Sequence, residues 1–449
     1  MSSPPAPAGP EVLSQVAHLC RRAGFGLAPA ALETLAAGGL GAAIDHYVDY
    51  DRLVDPLSLA KPAVHDDPSN TDIAPAQLWW LDRMIRSPRQ LEEKMTLFWH
   101  NLFATSEDKV DRPTFMWQQN MLFRHRAVDD FQHLLASVWS DHAMLYWLDG
   151  SYSSKDSPNE NFARECMELF SIGVGNYTQR DVRAAARAFT GYYIDDSYRR
   201  HFDPGAHDDG IKTFLGQTGR WDGKDIARIL ANHPACGRFL ARKLWTFFAY
   251  ERPEEPVIEE LAAVYRNNHR SIRAVLRHLF GMPQFYSPLA LGGRVKGPIE
   301  FAVTAVRELE SRMKLSDIND NLWGMGQSPF YPPNVGGWPS GPRWINSSTM
   351  IARFNWVAYL LGQESDPRKE RVDHALLLKR YDTGHWPGTL ERFARYHLAT
   401  PATPGTRARV SLAAIGRFTG GRTTQGDDAV PTLVSALHLL MVSPEYYCA

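Results

Sequence analysis

The feature that most constrains this chain is the spacing of its apolar residues, which recur at three- and four-residue intervals along most of its length. That period gathers them on one face of an α-helix, whereas strict alternation, the mark of a half-buried strand, is scarce. Val12, Leu13, Val16, Leu19, Cys20 and Ala23 form one such stripe, and Gly24 ends it as a helix terminator. Ser87-Pro88 supplies a cap and a first-turn proline for a helix through Leu91, Met95, Phe98 and Leu102. The pattern returns at 115–123, 131–139, 162–172, 182–189, 226–230, 239–248 and 258–265. Gly297-Pro298 with Glu300 starts another helix, predicted to run to about Met313. The expected fold is all-α: a single large helical domain over 11–449, preceded by a disordered Pro/Ala/Ser-rich tail at 1–10.

Two long irregular stretches interrupt the helices. One, 191–223, carries strand-like residues at 192–194 and 212–215, enough for a short hairpin. The other, 324–348, is dense in Gly, Pro, Asn and Trp. Loops of this length inside a packed protein are often functional. There is also one internal echo: 274–286 resembles 435–447, each an apolar helix closed by a proline and two aromatics. Two distant copies do not make a solenoid.

Charge narrows the partners. With 49 Lys+Arg against 50 Asp+Glu, no global positive excess exists to displace counterions from phosphates, so nucleic acid is not expected. Cys20, Cys166, Cys236 and Cys448 are far apart, with no CxxC pair, and read as reduced, buried thiols. No apolar run reaches the roughly 18–20 residues of a membrane span. The first ten residues lack the basic and apolar regions of a signal peptide, and the expectation is a cytoplasmic protein.

Several long motifs carry a resemblance. They include Asn159–Tyr177 (NENFARECMELFSIGVGNY), Asp181–Gly191 (DVRAAARAFTG), Arg22–Gly26 (RAGFG) and Phe98–Phe103 (FWHNLF). His207-Asp208 before Lys212, His233-Pro234 before an Arg-Lys-Leu-Trp run, Lys296–Glu300 (KGPIE), and Pro333–Trp338 (PNVGGW) with Trp344 extend it. In these the chain resembles, over nearly its whole length, the bacterial family called domain of unknown function eighteen-hundred. Cys166 stands where that family is expected to carry an aliphatic residue, and His142 where a proline is more usual. The resemblance implies a mostly helical protein without an assigned activity. It also implies export and a sulfatase-like partner family, which the N-terminus of this chain does not match.

Chemistry-bearing residues fall in three places. On the helix after Asn159, Glu165 and Glu168 share a stripe with Asn161. Two carboxylates one turn apart either ligate a metal and divide acid and base roles, or form ion pairs with Arg183 and Arg187 of the next helix. In the first loop His207, Asp208 and Lys212 cluster; an adjacent His and Asp can share one metal. His100, among aromatics on an apolar helix, is either a third ligand or a core histidine. In the second loop Asn334, Trp338 and Trp344, with Arg353 following, have the composition of a preorganised pocket wall or of a rigid plug. No Walker loop, HExxH, GxSxG or strand-borne GxGxxG occurs.

Two functions follow. The first is a metal-assisted enzyme acting on a small molecule, with a divalent or transition metal held by His100, Glu165 and His207, and with Glu165, Glu168, Asp208 and Lys212 as catalytic groups. The second is a non-catalytic binding or scaffold protein that grips a small-molecule ligand or partner protein through 324–348, with Asn334, Trp338, Trp344 and Arg353 as contacts.

Overall fold

The computed structural model describes residues 9–65, 71–195, 197–362, 371–416 and 429–449. Most of the tail expected at 1–10 lies outside them, and the first helix already begins at Pro10. Twenty-three α-helices account for the regular structure, joined by two small antiparallel hairpins and four 3-10 turns among the described residues. The all-α reading therefore stands. None of these helices is long and apolar enough to cross a membrane.

Local chemistry explains the helix ends. The carboxylates and amides of Asp130, Asn159, Asp222 and Asn346 accept the otherwise unpaired backbone N–H groups of their own first turns. Thr178 and Asp181 satisfy each other's backbone in a capping box. Gly24 closes the first helix by donating its N–H to Cys20. The helix expected from Ser87-Pro88 starts later, at Gln90, because the Ser87 hydroxyl instead accepts from Arg89 N at 3.1 Å and holds a turn there. The helix from Pro298 stops at Glu308 rather than near Met313, since Glu310 takes a left-handed φ of 49° and Ser311 N–H returns to Val306.

Both expected strands in the first loop form. Tyr192–Ile194 pairs with Arg200–Phe202, and Lys212–Phe214 pairs with Gln217–Gly219. The internal echo is a repeated ending: Ile272–Gly281 runs into a 3-10 turn at Pro283–Tyr286, and Ala429–Met441 into a short helix at Pro444–Tyr447.

One cluster of buried apolar side chains takes residues from Val16 to Tyr447 and includes Trp80, Trp99, Trp245 and Trp356. Cys20, Cys166 and Cys236 are free and buried within it. The last residues fold back on the 294–296 segment: Ala449 N–H donates to the Arg294 carbonyl, Lys296 N–H to the Tyr447 carbonyl, and Lys296 Nζ to the Tyr446 carbonyl at 2.8 Å. This pairing fixes one wall of the cleft described next.

Candidate functional site

A cleft of about 1200 Å³ opens between the helix Pro234–Phe248, the end of the helix Gln90–Leu102, the segment 292–300 and the loop 335–344. The helix Pro234–Phe248 presents Pro234, Ala235, Arg238, Phe239, Arg242, Lys243, Thr246 and Phe247 to it. Those positions advance by one, then three, so they trace a single face of 3.6-residue period. His233 sets that helix in place, accepting Ala235 N–H on Nδ1.

The opposite wall is the Gly/Trp loop. Trp338 and Trp344 line the cleft while remaining 5% and 6% exposed. Trp338 is pinned at both ends: its backbone N–H donates to Asn101 Oδ1 at 2.7 Å, and its indole N–H to the Tyr331 carbonyl at 3.1 Å. Gly337 is required here, because its φ is +85° and a Cβ would run into Asn101.

Behind the segment 292–300 lies a buried charge cluster. Glu300 accepts from Lys94 Nζ and from Arg294 Nη2, and its carboxylate also takes Gly297 N–H at 3.1 Å. Arg22 is fully buried beside them and donates to the Ala290 carbonyl at 2.6 Å. Its Nε and Nη1, and Nη1 of Arg294, have no hydrogen-bond partner among the described residues. Lys94 and Arg294 thus share one carboxylate, with the Arg22 guanidinium buried close by. Burial would push the Glu300 carboxyl up, but Arg294 and Lys94 hold it well below the usual range. Burial pulls Lys94 down to about 8, with Glu300 opposing the fall.

The residues singled out from sequence are scattered by comparison. His100 is buried among Trp80, Phe123, Phe330 and Trp338, and neither ring nitrogen has a hydrogen-bond partner among the described residues. Burial takes its pKa down to about 3, so it is a neutral core ring. His207 Nδ1 bonds the Thr190 carbonyl at 2.9 Å. Asp208 forms a two-point pair with Arg187, at 2.5 and 3.0 Å, and this pair holds its carboxyl below the ordinary value. Lys212 donates to the Asp208 carbonyl and, at 3.0 Å, to that of Gly210. These contacts tie the first loop to the helix Gln179–Ala188.

Glu168 accepts from the Tyr177 hydroxyl at 2.6 Å, and burial followed by the Glu168 charge raises the Glu165 carboxyl. Arg183 pairs with Glu160 at 3.6 Å, so the ion pairs of Glu165 and Glu168 with Arg183 and Arg187 do not form. Among the described residues no three His, Cys, Asp or Glu side chains lie together in a way that could hold a metal ion. The expected convergence of His100, Glu165 and His207 is therefore corrected: His100 lies in the aromatic core, His207 is held at the Thr190 carbonyl, and Glu165 stands half-buried on the helix Glu160–Glu168.

In the second loop, Trp338 and Trp344 reach the cleft, but Asn334 does not; its Oδ1 accepts Gly336 N–H at 2.8 Å and shapes the turn. Arg353 is also corrected. It is wholly buried, donates to the Lys296 carbonyl at 2.9 Å, and stacks over Phe301 and Tyr447. Sequence reasoning passed over Arg22, Lys94, Lys243, Arg294 and Glu300. The one available signal was the alternation of basic and aromatic residues along 238–247.

A family model described as "Protein of unknown function (DUF1800)" matches residues 18–448. No curated protein and no solved structure matches the chain.

Proposed function

Because the chain belongs to the DUF1800 family, whose description assigns no activity, its function is read from its own geometry, and we propose that it is a ligand-binding protein whose cleft takes a small organic anion with an apolar body. The observation that carries this reading is the pairing of Lys94 and Arg294 with the carboxylate of Glu300, beside the buried Arg22; of this cluster Arg294 and Glu300 line the cleft. Buried charge in excess of its counter-charge is costly, and a low-dielectric wall focuses its field into the adjoining cavity. An anion entering the cleft relieves that excess. Leu97, Leu169, Phe247, Trp338 and Trp344 offer the apolar and aromatic surface for the rest of the ligand.

The test is calorimetric titration with two molecules of matched shape, 1-naphthoate and 1-naphthalenemethanol. The carboxylate is expected to bind at least tenfold more tightly at low salt, a difference of ~1.4 kcal/mol. Trp338→Ala weakens both. Equal affinities for the two, or binding of neither, would remove the reading.

A further inference from the structure

Around Gly297 the cleft carries hydrogen-bond donors that the chain itself leaves unused. Gln327 and Trp344 both line the cleft there, and each is only 6% exposed. Gln327 Oε1 accepts the Ile299 N–H at 3.0 Å, a bond that only the oxygen end of an amide can make. The amide is thereby oriented, and its Nε2 is the free end, with no acceptor among the described residues. The Trp344 indole N–H, which can only donate, has no acceptor among the described residues either. Buried polar groups are as a rule hydrogen-bonded, so the partner for these two has to come from outside the chain.

Gly297 joins them. A Cβ at this position would lie 3.1 Å from Gln327 Oε1, and 3.6 Å from both Glu300 Oε2 and Trp344 Cε2, the ring carbon bonded to the indole nitrogen. The glycine therefore leaves a narrow slot between amide and indole. Its φ of −61° suits any residue, so the missing side chain matters here as space. Arg294 stands at the same place, with Nη2 on Glu300 and Nη1 without a partner among the described residues. The Glu300 carboxylate is taken up by Lys94, Arg294 and Gly297 N–H. The acceptors of Glu251, Glu254 and Asn176 stand at exposed positions on the rim.

We infer that this slot seats a carboxylate, an inference that rests on the anion-binding reading above and narrows the anion to that one group. The two carboxylate oxygens accept from the Gln327 amide and the Trp344 indole, and Arg294 supplies positive charge beside them. A carboxylate is flat and enters a narrow slot edge-on. A sulfonate or phosphate is tetrahedral, and its third oxygen finds neither room nor a donor.

Calorimetric titration compares 1-naphthoate with 1-naphthalenesulfonate, which has the same charge and the same rings. The carboxylate is expected to bind at least tenfold more tightly. Gly297→Ala fills the slot and is expected to weaken 1-naphthoate at least tenfold while leaving the sulfonate within twofold. In a proton–nitrogen correlation spectrum of the intact protein, the Trp344 indole signal is identified by its loss in Trp344→Phe. It is expected to move downfield with 1-naphthoate or with acetate, and to stay in place with chloride at equal ionic strength. A sulfonate that binds as tightly as the carboxylate, or an indole signal that ignores both carboxylates, overturns the inference. If 1-naphthoate binds and that signal stays, the seat falls and the cleft stands. If 1-naphthoate does not bind, the cleft reading falls, and the response to acetate still decides for or against the seat.

Discussion

Replacing Glu300 by Gln keeps the outline of the side chain and removes the negative charge shared by Lys94 and Arg294. The two cations respond differently. Lys94, at about 8 instead of its ordinary 10.5, already costs ~3 kcal/mol at pH 7 relative to the unfolded chain. Without Glu300 it can give up its proton, which caps that cost and makes its share of the loss on the order of 1 kcal/mol at pH 7. Arg294 cannot deprotonate, and losing a charge-assisted hydrogen bond in a buried setting costs ~1.5–3 kcal/mol. The sum is ~3–4 kcal/mol. With an unfolding entropy of ~2.1 cal/mol/K per residue over 449 residues, this lowers Tm by about 4 °C. Scanning calorimetry measures it, and pH separates the two shares. The lowered pKa of Lys94 means that the unfolded chain holds a proton the folded protein has lost between about 8 and 10.5, so native stability rises with pH in that window. In the variant Lys94 is already neutral at pH 7. The gap between the two proteins therefore narrows by ~1 kcal/mol from pH 7 to pH 9, leaving the Arg294 share. A loss below ~1 kcal/mol, or a gap that stays constant over that range, would refute the account of this cluster.

Two further substitutions test the assignments made to the sequence candidates. His100→Phe replaces two unpartnered buried nitrogens by carbon within a ring cluster, and Tm is expected to hold or rise by the equivalent of ~1 kcal/mol, while a fall of ~2 kcal/mol would mean that the imidazole has an essential partner. Asp208→Asn breaks the two-point pair with Arg187 at a partly exposed position, so the expected cost is ~1 kcal/mol, with faster proteolytic nicking within 191–223 and unchanged 1-naphthoate affinity. Loss of 1-naphthoate binding in that variant would show that the first loop belongs to the ligand site.

Much of the fold was legible because it is written at short range. The stripe from Val12 to Ala23, the termination at Gly24 and the strand at Tyr192–Ile194 each depend on neighbours within a few residues. The loop 324–348 announced itself by composition, and Trp338 and Trp344 do reach the cleft. The charge cluster was not legible. Lys94 and Glu300 lie 206 positions apart, and the local pattern around each is an ordinary apolar helix and an ordinary capping box. Spacing can also place two side chains on a face without saying what they meet. Glu165 and Glu168 sit one turn apart as read, yet the arginines one helix later turn to Glu160 and Asp208 instead. His100 illustrates the converse: its setting among aromatic residues was visible, and the choice between ligand and core ring depended on distant partners such as Phe330.

The return of residues 446–449 onto 294–296 has a consequence for biosynthesis. During synthesis the helices before residue 294 emerge while one wall of the cleft still lacks its backing, since the backbone partners of Arg294 and Lys296 come about 150 positions later. A chain cut before residue 446 would keep most of its core yet present Lys296 without the carbonyl that restrains it. That wall of the cleft is thus completed only when two segments distant in sequence have met, however early the helices between them form.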